Sequence, residues 1–319
     1  MSRSTVPLDH LPAVPIGHTA GMEGHVIVTG SSGLVGDAVF RALAAAAIPA
    51  LGVDVRAGRR TSIVGDLRRL DLDAFVRGAD AVVHVAALHA PHVGHASDRD
   101  FRAVNVDATE RLLLAARRHG VRRFVLTSTT SVYGRALEVT DRAAWVDEQL
   151  EPAPRDIYDE TKLAAERLAA AAHGDGLGTV TLRVARCFPE PPRTTVVHRL
   201  SRGVDVSDVA DGFLRAVAVT DLDRHLCANV SGPRVFHHED VADLVGDVGA
   251  ALDRRVPWLR AAFAARGWAL PGPIDRVHDS TLAADVLGYR PRKDVTAALD
   301  AAGSDDAAPA GGGGRPTAC

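Results

Sequence analysis

Tyr158 and Lys162 stand four residues apart in Tyr158-Asp159-Glu160-Thr161-Lys162, downstream of the glycine segment Gly30-Ser31-Ser32-Gly33-Leu34-Val35-Gly36. Asp156 can cap a helix running to about Ala172, with Gly174 as its stop, so the phenol and the amine are expected one turn apart on one face. A free phenol titrates near pH 10 and is a poor base at neutrality; a nearby ammonium favours the phenolate and is expected to lower that value. Tyr158 would then move a proton near pH 7. A Tyr and a Lys at this spacing also occur as ordinary helix surface, so the pair takes its meaning from its company.

That company is a strand, a glycine turn and a helix in order. His25-Val26-Ile27-Val28-Thr29 is β-branched, and Leu34 to Ala47 is alanine-rich and helical in pattern. Gly30 permits a sharp turn, Gly33 removes the side chain that would keep a pyrophosphate from the backbone, and Gly36 lets the helix pack closely. Backbone amides at the start of the helix then offer donors and partial positive charge to phosphates, placing Ser32, Leu34 and Val35 among the cofactor contacts. The spacing is GxxGxxG. A second strand, Ala50 to Val53, ends at Asp54. A carboxylate there accepts hydrogen bonds from both adenosine ribose hydroxyls and repels a 2′-phosphate, favouring NAD over NADP. Arg56, Arg59 and Arg60 follow and leave NADP as the less favoured alternative.

Further strands are expected at Ser62 to Val64, Ala81 to Val85, Arg123 to Thr127 and Thr179 to Val184, alternating with helices at Asp98 to His119 and after Asp156. Phe101, Val104, Leu112, Leu163 and Leu168 fall at helical spacing and are read as core positions. Such alternation gives an α/β fold: a doubly wound parallel sheet of the Rossmann type with a small C-terminal substrate-binding subdomain. Expected boundaries are an N-terminal tail at 1–24, an NAD-binding domain at 25–185 to which 204–231 return, a substrate-binding part from 186–203 and 232–300, and a disordered tail at 301–319.

In this order, the motifs resemble an extended short-chain dehydrogenase/reductase of the NAD-dependent epimerase/dehydratase group, from about His25 to Arg292. Gly65-Asp66-Leu67, His84-Val85-Ala86-Ala87, Asn105-Val106-Asp107-Ala108-Thr109 and Thr130-Ser131-Val132-Tyr133-Gly134 fit the same pattern. The resemblance implies that Asp66, with Leu67, contacts the adenine. It also implies that Ala86 and Ala87 line the path to the nicotinamide, and that Asn105 holds a helix distortion and a relay water. It places the catalytic hydroxyl at Thr129, and the two long helices in a homodimer interface. Thr129 has its own rationale, because catalytic groups of open α/β sheets lie just beyond the carboxyl ends of strands. Ser128, Thr130 and Ser131 leave that choice open by one or two positions.

The segment that would choose the substrate is short: Cys187-Phe188-Pro189-Glu190-Pro191-Pro192 is followed quickly by Asp205-Val206-Ser207-Asp208. This compactness resembles uronate dehydrogenases, from which the chain departs in carrying Arg186, and His198 with Arg199 where a carboxylate-gripping arginine is expected. Arg186 and Arg199 are the substrate-binding candidates, since a guanidinium meets a carboxylate or phosphate with two parallel donors. Asp159 stands where the family usually has glycine.

The 319 residues carry 37 Lys and Arg against 40 Asp and Glu, for a formal charge of −3, without a basic block that would suggest nucleic acid. Cys187, Cys227 and Cys319 are too few and too scattered for a disulfide framework, so a reducing cytoplasm is expected. No apolar run approaches a membrane span, and His92, His95, His237 and His238 lack companions at metal-ligand spacing, so no metal is expected. In the resembled group, dehydratases place an acidic pair where Thr130-Ser131 stand; hydroxyls cannot do that work at neutral pH. Hydride transfer on a sugar or sugar-nucleotide alcohol remains, ending as dehydrogenation or epimerisation. The alternative from another class is a protein that binds NAD as a sensor or scaffold.

Overall fold

The β-branched run forms β1 (His25–Thr29), and the alanine-rich stretch after the glycines forms α1 (Leu34–Ala45). In this computed structural model, residues 24–220 and 222–305 are described. Next come β2 (Ala50–Asp54), β3 (Ile63–Val64), α2 (Leu72–Val76) and β4 (Ala79–His84). The second half of the sheet is built from β5 (Arg123–Thr129), β7 (Gly178–Val184) and β8 (Leu226–Val230). The seven strands lie in the order β3-β2-β1-β4-β5-β7-β8, each parallel to its neighbours. The chain runs outward from β1 on one side and outward from β4 on the other, so the crevice opens between their carboxyl ends. Thr29, Asp54, His84 and Thr129 are the last residues of four of these strands.

Helices cover both faces. On one, α1 packs against α7 (Val206–Ala218), which in turn packs against α11 (Thr281–Leu287), burying Val39, Leu43, Phe213 and Tyr289. On the other, α2, α4 (Ala108–Arg118) and α5 (Ile157–Ala171) bury Phe75, Leu112, Ala165 and Ala169 against β1, β4 and β5. Large side chains such as Phe213 and Phe124 are fully buried, each contributing about 2–3 kcal/mol by removal from water. These rigid contacts hold the strand ends that carry the polar residues.

A smaller core gathers Val196 and Leu200 around α6 (Pro192–Arg199) with Phe236, Leu244, Leu252, Leu259, Phe263 and Leu299. Its helices are α8 (Asp243–Gly246), α9 (Val248–Arg255), α10 (Leu259–Ala264) and α12 (Val295–Asp305).

Four expectations are corrected. The helix foreseen over Asp98 to His119 is three pieces: α3 (Asp98–Arg102), a π-helical turn Ala103–Asp107, and α4. Periodicity could not show the break, because polar Asn105 points inward for hydrogen bonds rather than packing. The segment 143–146, expected within the range 25–185, bridges to the smaller part: β6 (Ala144–Val146) pairs in parallel with β9 (Arg276–His278) and Ala143 joins the small core, while Ala144 and Val146 pack on Val132 and Tyr133. Conversely, Ala283, Leu287 and Tyr289 fall inside the range 232–300 yet pack in the main core. Finally, α12 continues through Asp305, past Ala301, where the ordered chain was expected to end, because Leu299 and Ala302 are buried. The N-terminal tail 1–23 and residues 306–319 lie outside the described residues.

Candidate active site

The glycine loop is shaped by contacts that a side chain would destroy. Gly30 has φ +71, and a Cβ there would come within 2.8 Å of the Ala86 nitrogen. At Gly36 a Cβ would lie 2.0 Å from the Gly30 carbonyl oxygen, so α1 sits directly on the turn. Gly33 differs: a Cβ would meet only the Gly30 oxygen, at 3.3 Å, with no other atom within 4 Å. It is also the N-cap of α1, and no side chain caps that terminus. The first-turn amides of Leu34 and Val35 are therefore left for an anion beside a bare α-carbon.

Asp54 closes the cradle. Its buried carboxylate accepts from the Ser32 amide at 3.0 Å and the Arg56 amide at 2.9 Å, leaving further lone pairs for ribose hydroxyls. Ser32 Oγ donates to the Arg56 carbonyl and pairs with Thr61 Oγ1 at 2.7 Å, fastening the loop after β2 over the glycine turn. Arg60 is drawn to α1, lying over the Phe40 ring with Asp37 at 3.8 Å. Asp66 is held by Arg68 through both oxygens, which keeps its carboxyl below the usual range, and Leu67 is buried beneath.

Toward the switch point the polar groups satisfy one another. Thr29 Oγ1 lies 2.7 Å from His84 Nδ1 and accepts from the amides of Val85 and Ala86; His84 Nε2 lies 2.9 Å from Thr109 Oγ1. Burial holds His84 neutral, its value lowered to about 3. The Asn105 amide, in the π-helical turn, clamps Leu88 by donating to its carbonyl and accepting from its amide, and donates to Thr161 Oγ1. Through Leu88 and Thr161 it ties the loop after β4, which carries Ala86 and Ala87, to α5.

On α5, Asp156 caps the helix by accepting from the Asp159 amide at 3.0 Å. Tyr158 faces the end of β5, where its phenol is hydrogen-bonded to Thr129. One turn on, Lys162 is buried, and among the described residues its ammonium makes no hydrogen bond or ion pair. Burial pushes Lys162 down to about 8, opposed by Glu166 a further turn along. The expected lowering of the phenol is not what the protein chain alone provides. Burial raises Tyr158 above its ordinary value; the Thr129 hydrogen bond works against this, while Asp159, Cys187 and Asp156 add to it. The physical reason is that desolvating a phenolate outweighs the attraction of an amine that burial also discourages from carrying charge.

Beside the glycine loop, a pocket is lined by Leu34, Cys187, Phe188, Thr195, Arg199 and Val206, among others. Its two arginines differ. Arg186 is half-exposed and bound to Glu190 through Nε at 2.8 Å and Nη2 at 2.6 Å. Glu190 Oε2 also meets His198 Nδ1 at 2.5 Å, and His198 Nε2 accepts from Arg202 at 2.9 Å, so His198 is saturated. Arg199 is buried, reaches Asp205 at 3.3 Å through Nη2, and its Nη1 has no partner. Of the two substrate candidates, Arg199 keeps a buried donor without a partner, while Arg186 is half-exposed and paired with Glu190.

The profile of the NAD dependent epimerase/dehydratase family matches residues 26–205. The chain belongs to this family. A dTDP-glucose 4,6-dehydratase of Streptomyces antibioticus is 32% identical over 254 residues, 73% of this chain and 72% of that protein. A 3 beta-hydroxysteroid dehydrogenase/Delta 5-->4-isomerase of Mycobacterium tuberculosis is 34% identical over 292 residues, 78% of this chain and 75% of that one. Among solved structures, MoeE5 in complex with UDP-glucuronic acid and NAD superposes with a TM-score of 0.64 at 26% identity, covering 87% of this chain and 97% of that chain. The fold is thus that of the extended short-chain dehydrogenase/reductases.

For a member of an NAD-dependent family, the residues fit the cofactor: a glycine cradle that one Cβ would fill, uncapped helix amides, and a buried ammonium that makes no hydrogen bond or ion pair among the described residues. Sequence reasoning missed two contributors. Glu166 continues the stripe Tyr158, Lys162 at helical spacing, and its carboxylate is gripped by Arg183 at 2.8 Å and Ser128 at 2.5 Å; the i, i+4, i+8 pattern was there to be read. Glu190 was passed over as part of a proline-rich turn, with no signal that it would neutralise Arg186. Among the described residues, no three His, Cys, Asp or Glu side chains are grouped to hold a metal, and no helix is long and apolar enough to cross a membrane.

Proposed function

We propose that this protein is an oxidoreductase or epimerase that uses NAD to move hydride at a secondary alcohol of a sugar or sugar nucleotide. The observation that carries this reading is the hydrogen-bonded Thr129–Tyr158 pair one turn from a buried, unpartnered Lys162 at the mouth of the switch-point crevice. NAD, when bound, supplies the hydride acceptor and a cationic ring. Tyr158 takes the hydroxyl proton at its phenolic oxygen, and Thr129 Oγ1 holds the reacting oxygen in line with it. Lys162 would help hold the cofactor's ribose, and as an ammonium it would favour the phenolate by charge. Arg199 receives an anionic group of the substrate on Nη1, while Glu190 keeps Arg186 from competing. Whether the oxidised sugar leaves or is reduced again on its other face separates a dehydrogenase from an epimerase.

The test incubates the purified protein with NAD and pools of sugar nucleotides, uronic acids and 3β-hydroxysteroids, following NADH by absorbance and isomers by mass spectrometry with chromatography. NADH or a new isomer is expected from a sugar pool, with turnover falling about 10²–10⁴-fold in Tyr158→Phe while NAD still binds. In the same assay Arg199→Ala should raise KM for anionic substrates more than Arg186→Ala does. A sensor or scaffold would bind NAD tightly and turn over nothing in any pool, and that result would retire the reading.

A further inference from the structure

Asp159 occupies a position of unusual geometry. It is fully buried on the first turn of α5, immediately after Tyr158. One carboxylate oxygen accepts from Ser131 Oγ at 2.5 Å, and the other accepts from the Arg155 amide at 3.2 Å and Arg155 Nε at 3.4 Å. Arg155 Nη2 also reaches Ser131 Oγ, at 3.2 Å. Ser131 in turn donates its backbone amide to Thr129 Oγ1 at 3.1 Å, and Thr129 is hydrogen-bonded to the Tyr158 phenol. The contacts close a ring: Tyr158, Thr129, Ser131, Asp159, and back along the helix to Tyr158.

We propose that Asp159 is a positioning residue, which through Ser131 fixes the Thr129 hydroxyl against Tyr158 and so sets the geometry of proton transfer. The proposal rests on the hydride-transfer reading above and adds to it the residue that aligns the two catalytic hydroxyls. Thr129 ends a strand and Tyr158 begins a helix, and elements from different parts of the chain do not hold two hydroxyls in register by themselves. Accepting from the Ser131 amide uses one lone pair of Thr129 Oγ1 and leaves its remaining capacity directed toward the phenol and the substrate. A glycine at position 159 would leave Ser131 Oγ with Arg155 alone and free the turn Thr129–Ser131 to rotate. The carboxylate exacts a cost, because the negative charges of Asp159 and Asp156 near the phenol both oppose the phenolate, against the Thr129 hydrogen bond that favours it. Alignment is purchased against ionisation.

The experiment uses NAD-bound protein and two readouts. Because the chain has three tyrosines, the ultraviolet tyrosinate band, taken against Tyr158→Phe, isolates the titration of Tyr158. Thr129→Val is expected to raise that midpoint by removing a hydrogen bond that favours the phenolate, and Ser131→Ala to raise it in the same direction. On a substrate found in the pools, Ser131→Ala and Asp159→Ala should lower kcat about 10- to 100-fold with KM and NAD affinity unchanged. Asp159→Asn, which keeps an acceptor oxygen for Ser131, should recover most of what Asp159→Ala loses. If Ser131→Ala and Asp159→Ala both retain the parent kcat, or the Ser131→Ala titration matches the parent while Thr129→Val shifts, the positioning role is wrong. Failure of every pool would overturn the proposed reaction instead; the titration, run on Asp159→Asn as well, would still decide whether Ser131 and Asp159 align Thr129, a midpoint in both variants equal to the parent's overturning it.

Discussion

Lys162 carries a cost in stability that burial alone imposes. Burial without a protein partner pushes its amine from the ordinary lysine value down to about 8, a penalty on the order of 3 kcal/mol when the group is charged. The sign follows from proton counting: between about 8 and the unfolded value near 10.4, the unfolded chain holds more protons than the folded one, so stability rises with pH across that window. The penalty is complete below it. Lys162→Met should therefore raise the unfolding free energy of the NAD-free protein at pH 7 by about 2–3 kcal/mol, while NAD binding weakens. Denaturant titrations at pH 7 and pH 10 check this; the advantage of the variant should shrink as the pH rises. A variant equally or less stable at pH 7 would mean that Lys162 has a stabilising partner in the folded chain.

At the scale of elements, the glycine loop separates folding from binding. Gly36→Ala drives a methyl to 2.0 Å from the Gly30 carbonyl, which cannot yield without moving α1 off β1, and should cost several kcal/mol of stability. Gly33→Ala adds a methyl that meets one atom at 3.3 Å on extended backbone, so melting should barely change while NAD affinity falls by an order of magnitude or more. Thermal unfolding and NAD titration of the two variants distinguish these outcomes; equal loss of melting temperature in both would contradict the assignment of Gly33 to the ligand side. These elements were readable because strand, turn and helix are consecutive in sequence and their chemistry is local. The placement of Thr129 at a strand end and of Tyr158 and Lys162 on one helical turn was readable for the same reason. What could not be read depends on contacts between distant segments. The resemblance implied a helix distortion at Asn105 but not its form, which follows from bonds to Leu88 and Thr161; β6 pairs with the distant β9, and burial of the Tyr158 phenol is set by the whole crevice rather than by Lys162.

For the whole molecule, burial of neutral imidazoles sets the acid limit. His84 is enclosed by Thr29, Thr109 and the end of the sheet, and His278 ends β9 with neither ring nitrogen hydrogen-bonded. Desolvation lowers each from the ordinary histidine value to about 3. For both, the unfolded chain takes a proton near pH 6.5 that the folded chain refuses, so stability is intact above that value and is lost as the pH falls toward 3. With two such groups the slope is roughly 3 kcal/mol per pH unit between about pH 6 and pH 4. Aspartates held by arginines act in a lower range: Asp240, gripped by Arg254 and Arg255, is lowered to about 2, and its contribution disappears only below about pH 4. The two causes of acid unfolding therefore separate on the pH axis. Unfolding free energies measured at steps from pH 7 to pH 4.5 should fall steeply, with an uptake of about two to three protons, since burial also lowers His225 to about 4, and replacing His84 and His278 together by glutamine should make that limb markedly shallower. A wild-type curve that stays level until about pH 4 would show that both imidazoles accept protons in the folded protein, and that the sheet end and β9 admit water at these positions.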